Sequence, residues 1–271
     1  MKHPPLIKPE GFSAQDMNLY HESYGAGQPL IILHGLFGSL DNWRTLSGRF
    51  GRHYRVFAVD LRNHGRSPHS GAFNYELMAE DLRIFMDAHS IRSACLLGHS
   101  MGGKAAMQFA VTWPDRVEKL VIVDIAPKNY PPHHVEIIQS LVSLDLKAYK
   151  GRTDIDGALK TSIPDQATRQ FLLKNLVRDD AGFLRWKINL QAIAKNYCEL
   201  IKGLDTDRSF KKATLFLKGQ NSQYIRQEDF AKIARLFPRA ELVTIPGAAH
   251  WVQADAPAEF LRVVLDFLQS S

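Results

Sequence analysis

The 271-residue sequence predicts an α/β protein: a mostly parallel central sheet flanked by helices, with a helical insertion late in the chain. Three observations predict it. Short runs rich in Val, Ile and Leu, such as PLIILH (29–34) and VEKLVIVD (117–124), are almost uninterrupted by polar residues, as strands covered on both faces require. Amphipathic stretches with helical spacing alternate with these runs. One long segment, 128–210, breaks the alternation and offers helical patterns but no strand.

In chain order, strands are expected at about 17–24, 29–34, 54–60 (YRVFAVD), 93–98 (SACLLG), 117–124, 213–218 (ATLFLK) and 240–245 (AELVTI). Helices are expected at 74–89, 101–112, 226–236 and 257–269. Within the insertion, amphipathic stretches fall at 134–144, 165–176 and 185–202, punctuated by Pro131-Pro132 and Gly203. Residues 1–127 and 211–271 then form one core domain, and 128–210 form a helical cap inserted after the strand ending near Asp124. That position puts the cap over the carboxyl ends of the strands, where open α/β sheets bind ligands.

Composition narrows the classes. A chain of 271 residues, 45% hydrophobic, builds a substantial core without disulfide staples. No apolar run is long enough for a bilayer span, so no membrane anchor is expected. Prolines interrupt the opening MKHPPLIKPEGFSAQ where an export signal needs a continuous apolar core. With only Cys95 and Cys198, and the first in an apparent strand, a cytoplasmic setting is expected. The net charge is +6; residues 128–212 hold fifteen Lys and Arg against ten Asp and Glu, so +5 of it lies there. These charges are interspersed, with no basic run or nucleic-acid module, so nucleic acid is not an expected partner. They form either a solvated surface or an attractive field for an anionic substrate.

The chemistry centres on LLGHSMGGKAAM (96–107), where Ser100 stands between Gly98 and Gly102 at a strand-to-helix junction. This G-x-S-x-G pattern is a nucleophile elbow, a sharp turn that lifts a serine hydroxyl above the sheet. The glycines leave out side chains that would collide as the chain reverses. The Met101 N–H, at the start of the following helix, can donate to an oxyanion. A second donor is expected from HGLFGS (34–39): the Leu36 N–H or, failing that, the Phe37 N–H.

A serine hydroxyl needs a base, and imidazole takes and returns a proton near neutral pH. Of eleven histidines, His250 in ELVTIPGAAHW follows a strand and completes the chain order Ser, Asp, His. His34 and His64, beside glycines, are expected to organise turns; His99 is expected to point away from Ser100; His133 and His134 are expected to be exposed or to touch the cap. The strand before His250 runs into GQNSQYI (219–225), which has no acid, so Asp124 at the end of the preceding strand is the leading carboxylate. The lesser alternative for Asp124 is a turn-capping aspartate; Asp205, Asp207 and Asp229 are weaker rivals, and Asp60 is expected to tie down its own loop. Phe37, Trp186, Tyr224 and Trp251 are candidate substrate contacts.

HGLFGSLDNW (34–43), VDLRNHGRSP (59–68), GHSMGGKAAM (98–107), VDIAP (123–127), GQNSQYI (219–225) and GAAHWVQADAP (247–257) together resemble the α/β-hydrolase superfamily, and more narrowly the YbfF-type esterases. The resemblance spans about 17–269 and is weakest in the insertion. It implies the α/β-hydrolase fold, with Ser100 as nucleophile, His250 as base and Asp124, in the D-I-A-P segment, as acid. It further implies hydrolysis of short to medium acyl esters and of acyl-CoA thioesters, without cofactor or metal. Lys104 belongs to the same pattern, with no role beyond helix packing legible in the sequence. The same apparatus could serve a carbon–carbon hydrolase, a peptidase or a perhydrolase, and a non-catalytic receptor could retain the pocket.

Overall fold

In the computed structural model, residues 17–270 are described, and the proline-interrupted opening segment lies outside them. The chain begins with β1 (His21–Tyr24) and β2 (Pro29–Leu33), then a 3₁₀ turn at Leu40–Trp43 running into α1 (Arg44–Phe50). There follow β3 (Arg55–Val59), α2 (Tyr75–Ala88), β4 (Ala94–His99), α3 (Met101–Thr112) and β5 (Val117–Val123). A long excursion carries α4 (Val135–Val142), α5 (Arg152–Leu159), α6 (Gln166–Leu173), β6 (Leu176–Arg178), β7 (Leu184–Trp186), α7 (Leu190–Lys195) and α8 (Tyr197–Ile201). The chain ends with β8 (Thr214–Gly219), α9 (Phe230–Leu236), β9 (Ala240–Ile245), α10 (Val252–Asp255) and α11 (Pro257–Gln269).

Seven strands form one sheet in the order β1-β3-β2-β4-β5-β8-β9. Only β1 is antiparallel to its neighbour; the other pairs are parallel. Alternate side chains feed two separate cores, which is why these strands read as unbroken apolar runs. Ile31, Phe57, Leu96 and Ile122 pack on the α2 and α3 face, whereas Ile32, Val56, Leu97 and Val121 pack on the α1 and α11 face. The α/β class with a mostly parallel, helix-flanked sheet is as the sequence predicts.

Three local readings need correction. The first strand is shorter than expected, because residues 17–20 approach the sheet without joining a ladder. The segment between β5 and β8 is not free of strands: β6 and β7 form an antiparallel hairpin in which Leu176 faces Trp186. Consequently 185–202 is not one amphipathic stretch but the end of that hairpin followed by α7 and α8, each opening at an asparagine, Asn189 and Asn196. Among the described residues no helix is long and apolar enough to cross a membrane.

The sheet order reverses between β2 and β4: from β2 the chain steps outward to β3, then returns to the other side for β4. The crevice above such a switch point is where loops diverge and leave room for a ligand. It is entered from one side by the loop after β2 and from the other by the turn after β4. The turn is tight. A Cβ on Gly98 would lie 2.3 Å from the Gly102 carbonyl oxygen, and one on Gly102 would lie 2.5 Å from the carbonyl oxygens of Leu33 and His34. Those obstacles are backbone and cannot swing aside. Alanine at either position is therefore expected to destabilise the fold by at least about 3 kcal/mol in urea unfolding. Gly151→Ala, with nothing within 4 Å of the added methyl, serves as the control.

Candidate active site

Ser100 follows β4 directly, with φ 52° and ψ −118°, a backbone conformation that L-residues adopt only when their surroundings impose it. Two bonds impose it: the Ser100 N–H donates to Val123 O at 3.0 Å, extending the β4–β5 ladder, and its carbonyl accepts from Lys104 N at 3.1 Å as α3 begins. Asp124 is the corresponding residue after β5, with φ 50°, its N–H donating to Leu217 O at 2.7 Å. Phe37, in the loop after β2, has φ 60°. Three of the five non-glycine residues with positive φ among the described residues thus stand at the carboxyl ends of adjacent strands, each at a cost on the order of 1–3 kcal/mol.

The Asp124 carboxyl is completely buried. Its Oδ2 accepts from His250 Nδ1–H at 2.8 Å and also from the Ser222 hydroxyl, and its Oδ1 accepts from Gly219 N–H at 3.1 Å. Ser222 lies in the loop after β8, where the sequence offers no acid. The sequence reading stopped at that absence, and the serine's part as a donor to a carboxyl one strand away was missed.

His250 is held on several sides. The Tyr224 ring stacks on it at 3.8 Å between centroids and 17° between planes. The His99 Nε2–H donates to the His250 carbonyl at 2.9 Å, fixing the backbone beneath the imidazole. His99 therefore has a part in the site that the sequence reading did not give it; its ring faces the His250 loop, 4.8 Å from the His250 ring. No hydrogen bond joins Ser100 Oγ to His250 among the described residues, but both side chains line one cavity of roughly 230 Å³.

The N–H groups beside Ser100 differ in whether the protein already occupies them. The Phe37 N–H donates to His64 Nε2 at 3.3 Å, so it is occupied. Leu36 N–H has no protein acceptor among the described residues, and Met101 N–H is the first of α3 and has no intrahelical partner. His64 and His34 both lace the loop after β2 to the loop after β3. His64 Nδ1–H donates to Arg62 O at 3.0 Å; His34 Nδ1–H donates to Gly35 O at 2.9 Å and its Nε2 accepts from Leu61 N–H at 3.0 Å. Asp60 holds its surroundings in the same way, accepting from Leu40 N–H at 2.7 Å and Arg66 N–H at 2.9 Å.

The cavity floor is made by the loops after β2, β4, β8 and β9, and its roof by His134, Ile137, Thr168, Phe171 and Leu172 from the segment between β5 and β8. Phe37, Tyr224 and Trp251 all line it. Trp186 does not: it is on β7, opposite Leu176, packed against the apolar core of that segment. Asp205 and Asp207 are exposed and do not line the cavity, and Asp229 pairs with Lys128 at 2.7 Å.

A serine on a strained strand-to-helix turn, an imidazole on a buried carboxyl, and two unoccupied N–H groups at a switch point define an α/β hydrolase. Residues 28–257 match the alpha/beta hydrolase fold family, and the chain belongs to it. It is 36% identical over 270 residues to the sn-1-specific diacylglycerol lipase ABHD11 of Danio rerio, covering 95% of this chain and 84% of the relative. Over 241 residues it is 34% identical to Esterase YbfF of Escherichia coli, covering 89% and 92%. A solved marine microorganism esterase superposes with a TM-score of 0.91 at 43% identity, covering 93% of this chain and 99% of that one. Within the superfamily, the chain stands with the YbfF-type esterases.

Burial holds the lacing histidines neutral: it pushes His64 and His99 down to about 3 and His134 down to about 4. In the unfolded chain these rings titrate near 6.5. Below that pH the unfolded state binds protons that the folded state refuses, so stability is complete above about 6.5 and falls as pH drops toward 3. His64→Gln, whose amide can both donate and accept, is expected to reduce the slope of unfolding free energy against pH between 6 and 4 by about one proton, roughly 1.4 kcal/mol per pH unit. Urea titrations at several pH values measure it.

Proposed function

We propose that Ser100, His250 and Asp124 form the catalytic triad of a carboxylic ester hydrolase working through an acyl-enzyme. The observation that carries this reading is the 2.8 Å bond from His250 Nδ1 to the buried Asp124 carboxyl, in the same cavity as a serine on a strained turn. Asp124 fixes the imidazole tautomer, leaving Nε2 as the proton acceptor toward Ser100. Ser100 Oγ attacks the ester carbonyl as His250 takes its proton, a contact that tightens when substrate fills the cavity. The Leu36 and Met101 N–H groups receive the oxyanion, and each is worth about 3 kcal/mol of barrier. The protonated imidazole passes its proton to the leaving alcohol or thiol. Water then attacks the acyl-enzyme, giving its proton to His250 and releasing the acid and Ser100.

In this reading the segment 128–210 is a cap, with α4 and α6 enclosing the acyl chain and excluding water. Phe37, Tyr224 and Trp251 are the substrate contacts, in a cavity suited to short and medium chains. Ser100→Ala is expected to lower kcat/KM on p-nitrophenyl butyrate by roughly 10⁵-fold or more, and Asp124→Asn by roughly 10³–10⁴-fold. Ser222→Ala removes one of the three donors to Asp124 and the acceptor of the Tyr224 N–H at 3.2 Å, and is expected to cost about tenfold. Asp205→Asn should leave turnover at the wild-type level. An Asp124→Asn enzyme with wild-type turnover would remove that residue from the triad.

Acyl-CoA thioesters are the second substrate class we propose, and one feature supports it. An open cleft of roughly 650 Å³, separate from the Ser100 cavity, is lined by Arg66, Arg178, Arg185, Lys187 and His69, with no acid in its lining. Lys187 and Arg66 have acids at the rim, Asp41 at 3.2 Å and Glu22 at 3.6 Å, while Arg178 donates only to carbonyl oxygens. Lys187 N–H donates to Asn175 O, and Asn175 Nδ2 donates to Phe37 O on the wall of the Ser100 cavity, so the cleft is two hydrogen bonds from that wall. Phosphates of a CoA thioester held there would place its acyl end toward Ser100. Attraction of this kind is screened by salt. Raising ionic strength is expected to lower kcat/KM for butyryl-CoA about tenfold while leaving p-nitrophenyl butyrate unchanged, and Arg178→Ala/Arg185→Ala should abolish the difference. Parallel salt responses of the two substrates would refute it.

A further inference from the structure

Lys104 is the one charged residue of the GHSMGGKAAM motif, and the proposed chemistry leaves it unused. It lies one turn beyond Ser100 on α3 and is 1% exposed, with no carboxylate pairing among the described residues. Its Nζ donates to Ile201 O at 3.2 Å and to Lys202 O, the last carbonyls of α8 and the residue after it. The ammonium stands 4.8 Å from the centre of the Tyr130 ring and 5.4 Å from that of Tyr75. Carbonyls at a helix C-terminus and aromatic faces are both partners for a cation.

These contacts converge on one place, where the chain leaves the sheet after β5 and returns before β8. Tyr130 N–H donates to Ile201 O at 2.8 Å, Gly203 N–H to Asn129 Oδ1 at 2.7 Å, and Tyr75 OH to Leu200 O at 2.6 Å. Gly203 has no room for a side chain, since a Cβ there would lie 2.6 Å from the Lys128 carbonyl carbon. The outgoing and returning arms are thus laced together, and Lys104 joins the pair to the helix that follows Ser100. A small second cavity, roughly 40 Å³, opens at this junction and is lined by Ser100, Met101, Lys104, Tyr130, Tyr197 and Leu200.

We propose that Lys104 is a positioning residue: by donating to the carbonyls of Ile201 and Lys202 it fixes the return arm, and the Tyr197–Ile201 wall it carries, over Ser100 to shape the acyl chamber. The inference rests on the reading of Ser100 as nucleophile. It assigns Lys104 to substrate fit rather than to bond-making, because Nζ is committed to the backbone carbonyls of Ile201 and Lys202.

The group is held there against its own solvation. Burial, with a smaller contribution from Lys232 on α9, pushes the Lys104 ammonium down to about 7. The other titratable or charged groups around it are Tyr75 on α2, Lys128 and Tyr130 on the outgoing arm, His133 and His134, and Tyr197 and Lys202 on the return arm. None is an acid that would favour the ammonium. An unfolded chain keeps the proton up to about 10.4, so between that pH and about 7 burial of Lys104 costs progressively more stability as pH falls. Replacing a buried charge by an apolar side chain of similar length is commonly neutral or stabilising, so Lys104→Met is a fair test.

Three measurements on the full chain decide the matter. Lys104→Met should keep or raise the melting temperature at pH 7 while hydrogen exchange at 197–203 speeds up at least tenfold and that of α3 does not. Its KM for p-nitrophenyl esters of butyrate to octanoate should rise about tenfold with a smaller change in kcat. Labelling of Ser100 by a small fluorophosphonate should stay within threefold of wild type. Tyr75→Phe, which removes only the bond to Leu200 O, should give the same pattern more weakly, and decides the question if Lys104→Met does not fold. Unchanged exchange at 197–203 would overturn the inference, as would labelling that falls in parallel with ester turnover. A wild-type enzyme that resists the fluorophosphonate would instead overturn the reading of Ser100, and the exchange measurement would still report on Lys104.

Discussion

The site depends on one buried carboxyl. Asp124 sits at the end of β5 with no water to solvate it, so its two oxygens must be satisfied by the protein. Three donors do this, and each comes from a different stretch of chain: His250 from beyond β9, Ser222 from the loop after β8, and Gly219 from the end of β8 itself. An acid on β5 forces the imidazole to reach back across β8. The end of β8 must therefore be low and must donate. Gly219 meets both needs: its N–H points at Asp124, and a Cβ there would lie 2.2 Å from the Ala249 carbonyl oxygen. The glycine lets the loop carrying His250 pass over the sheet, and the loop in turn buries the carboxyl.

The oxyanion loop follows the same logic with neutral groups. Residues 34–38 carry no regular structure, yet His34 and His64 bond them to the loop after β3 with single, complementary tautomers. Protonating either ring would turn its acceptor into a donor facing another N–H. Burial works against this, pushing both rings below the ordinary imidazole value, His64 to about 3. The result is that the Phe37 N–H is consumed and the Leu36 N–H is left over. A donor left without a protein partner at the wall of the cavity is preorganised for an acceptor atom of a ligand, because it need not leave another partner first.

What the sequence disclosed, and what it hid, follows from how far each signal extends. Strands buried on both faces are legible because every residue is apolar, and α2 and α11 are legible because their helical spacing persists for more than ten residues. The β6–β7 hairpin was missed because strands of three residues complete barely one alternation, although Asp179-Asp180-Ala181-Gly182 between them is a turn signal. At the site, the elbow glycines and the chain order of Ser100, Asp124 and His250 were readable in advance. The failure at Trp186 was of another kind. Aromatic character says that a side chain will be covered, and only tertiary packing says by what; here Trp186 pairs with Leu176 and packs on the larger apolar cluster, and it does not line the Ser100 cavity. Ser222, His99 and Lys104 escaped for the same reason, since each acts on residues about a hundred or more positions away.

The first turn of α3 carries three unlike burdens within four residues. Met101 carries an N–H with no intrahelical partner; Gly102 and Gly103 let the helix touch the backbone of β2 and the side chain of Ile125; Lys104 donates to the carbonyls of the returning arm. Positions 101 and 104 are about one helical turn apart and so share a face. The Met101 N–H and the Lys104 contacts to the return arm are therefore mounted on one rigid piece of backbone, whose carbonyl at Ser100 is already bonded to the Lys104 N–H. A displacement of the arm cannot be absorbed by a flexible linker between them, because there is none. It must be met by breaking the contacts of Lys104 or by tilting the turn that holds Ser100. The second path runs into the backbone collisions that fix Gly98 and Gly102, so the first is the softer one. Adjustment to different acyl groups should accordingly occur on the far side of Lys104, in the arm, while the strained turn beneath it stays as the sheet sets it.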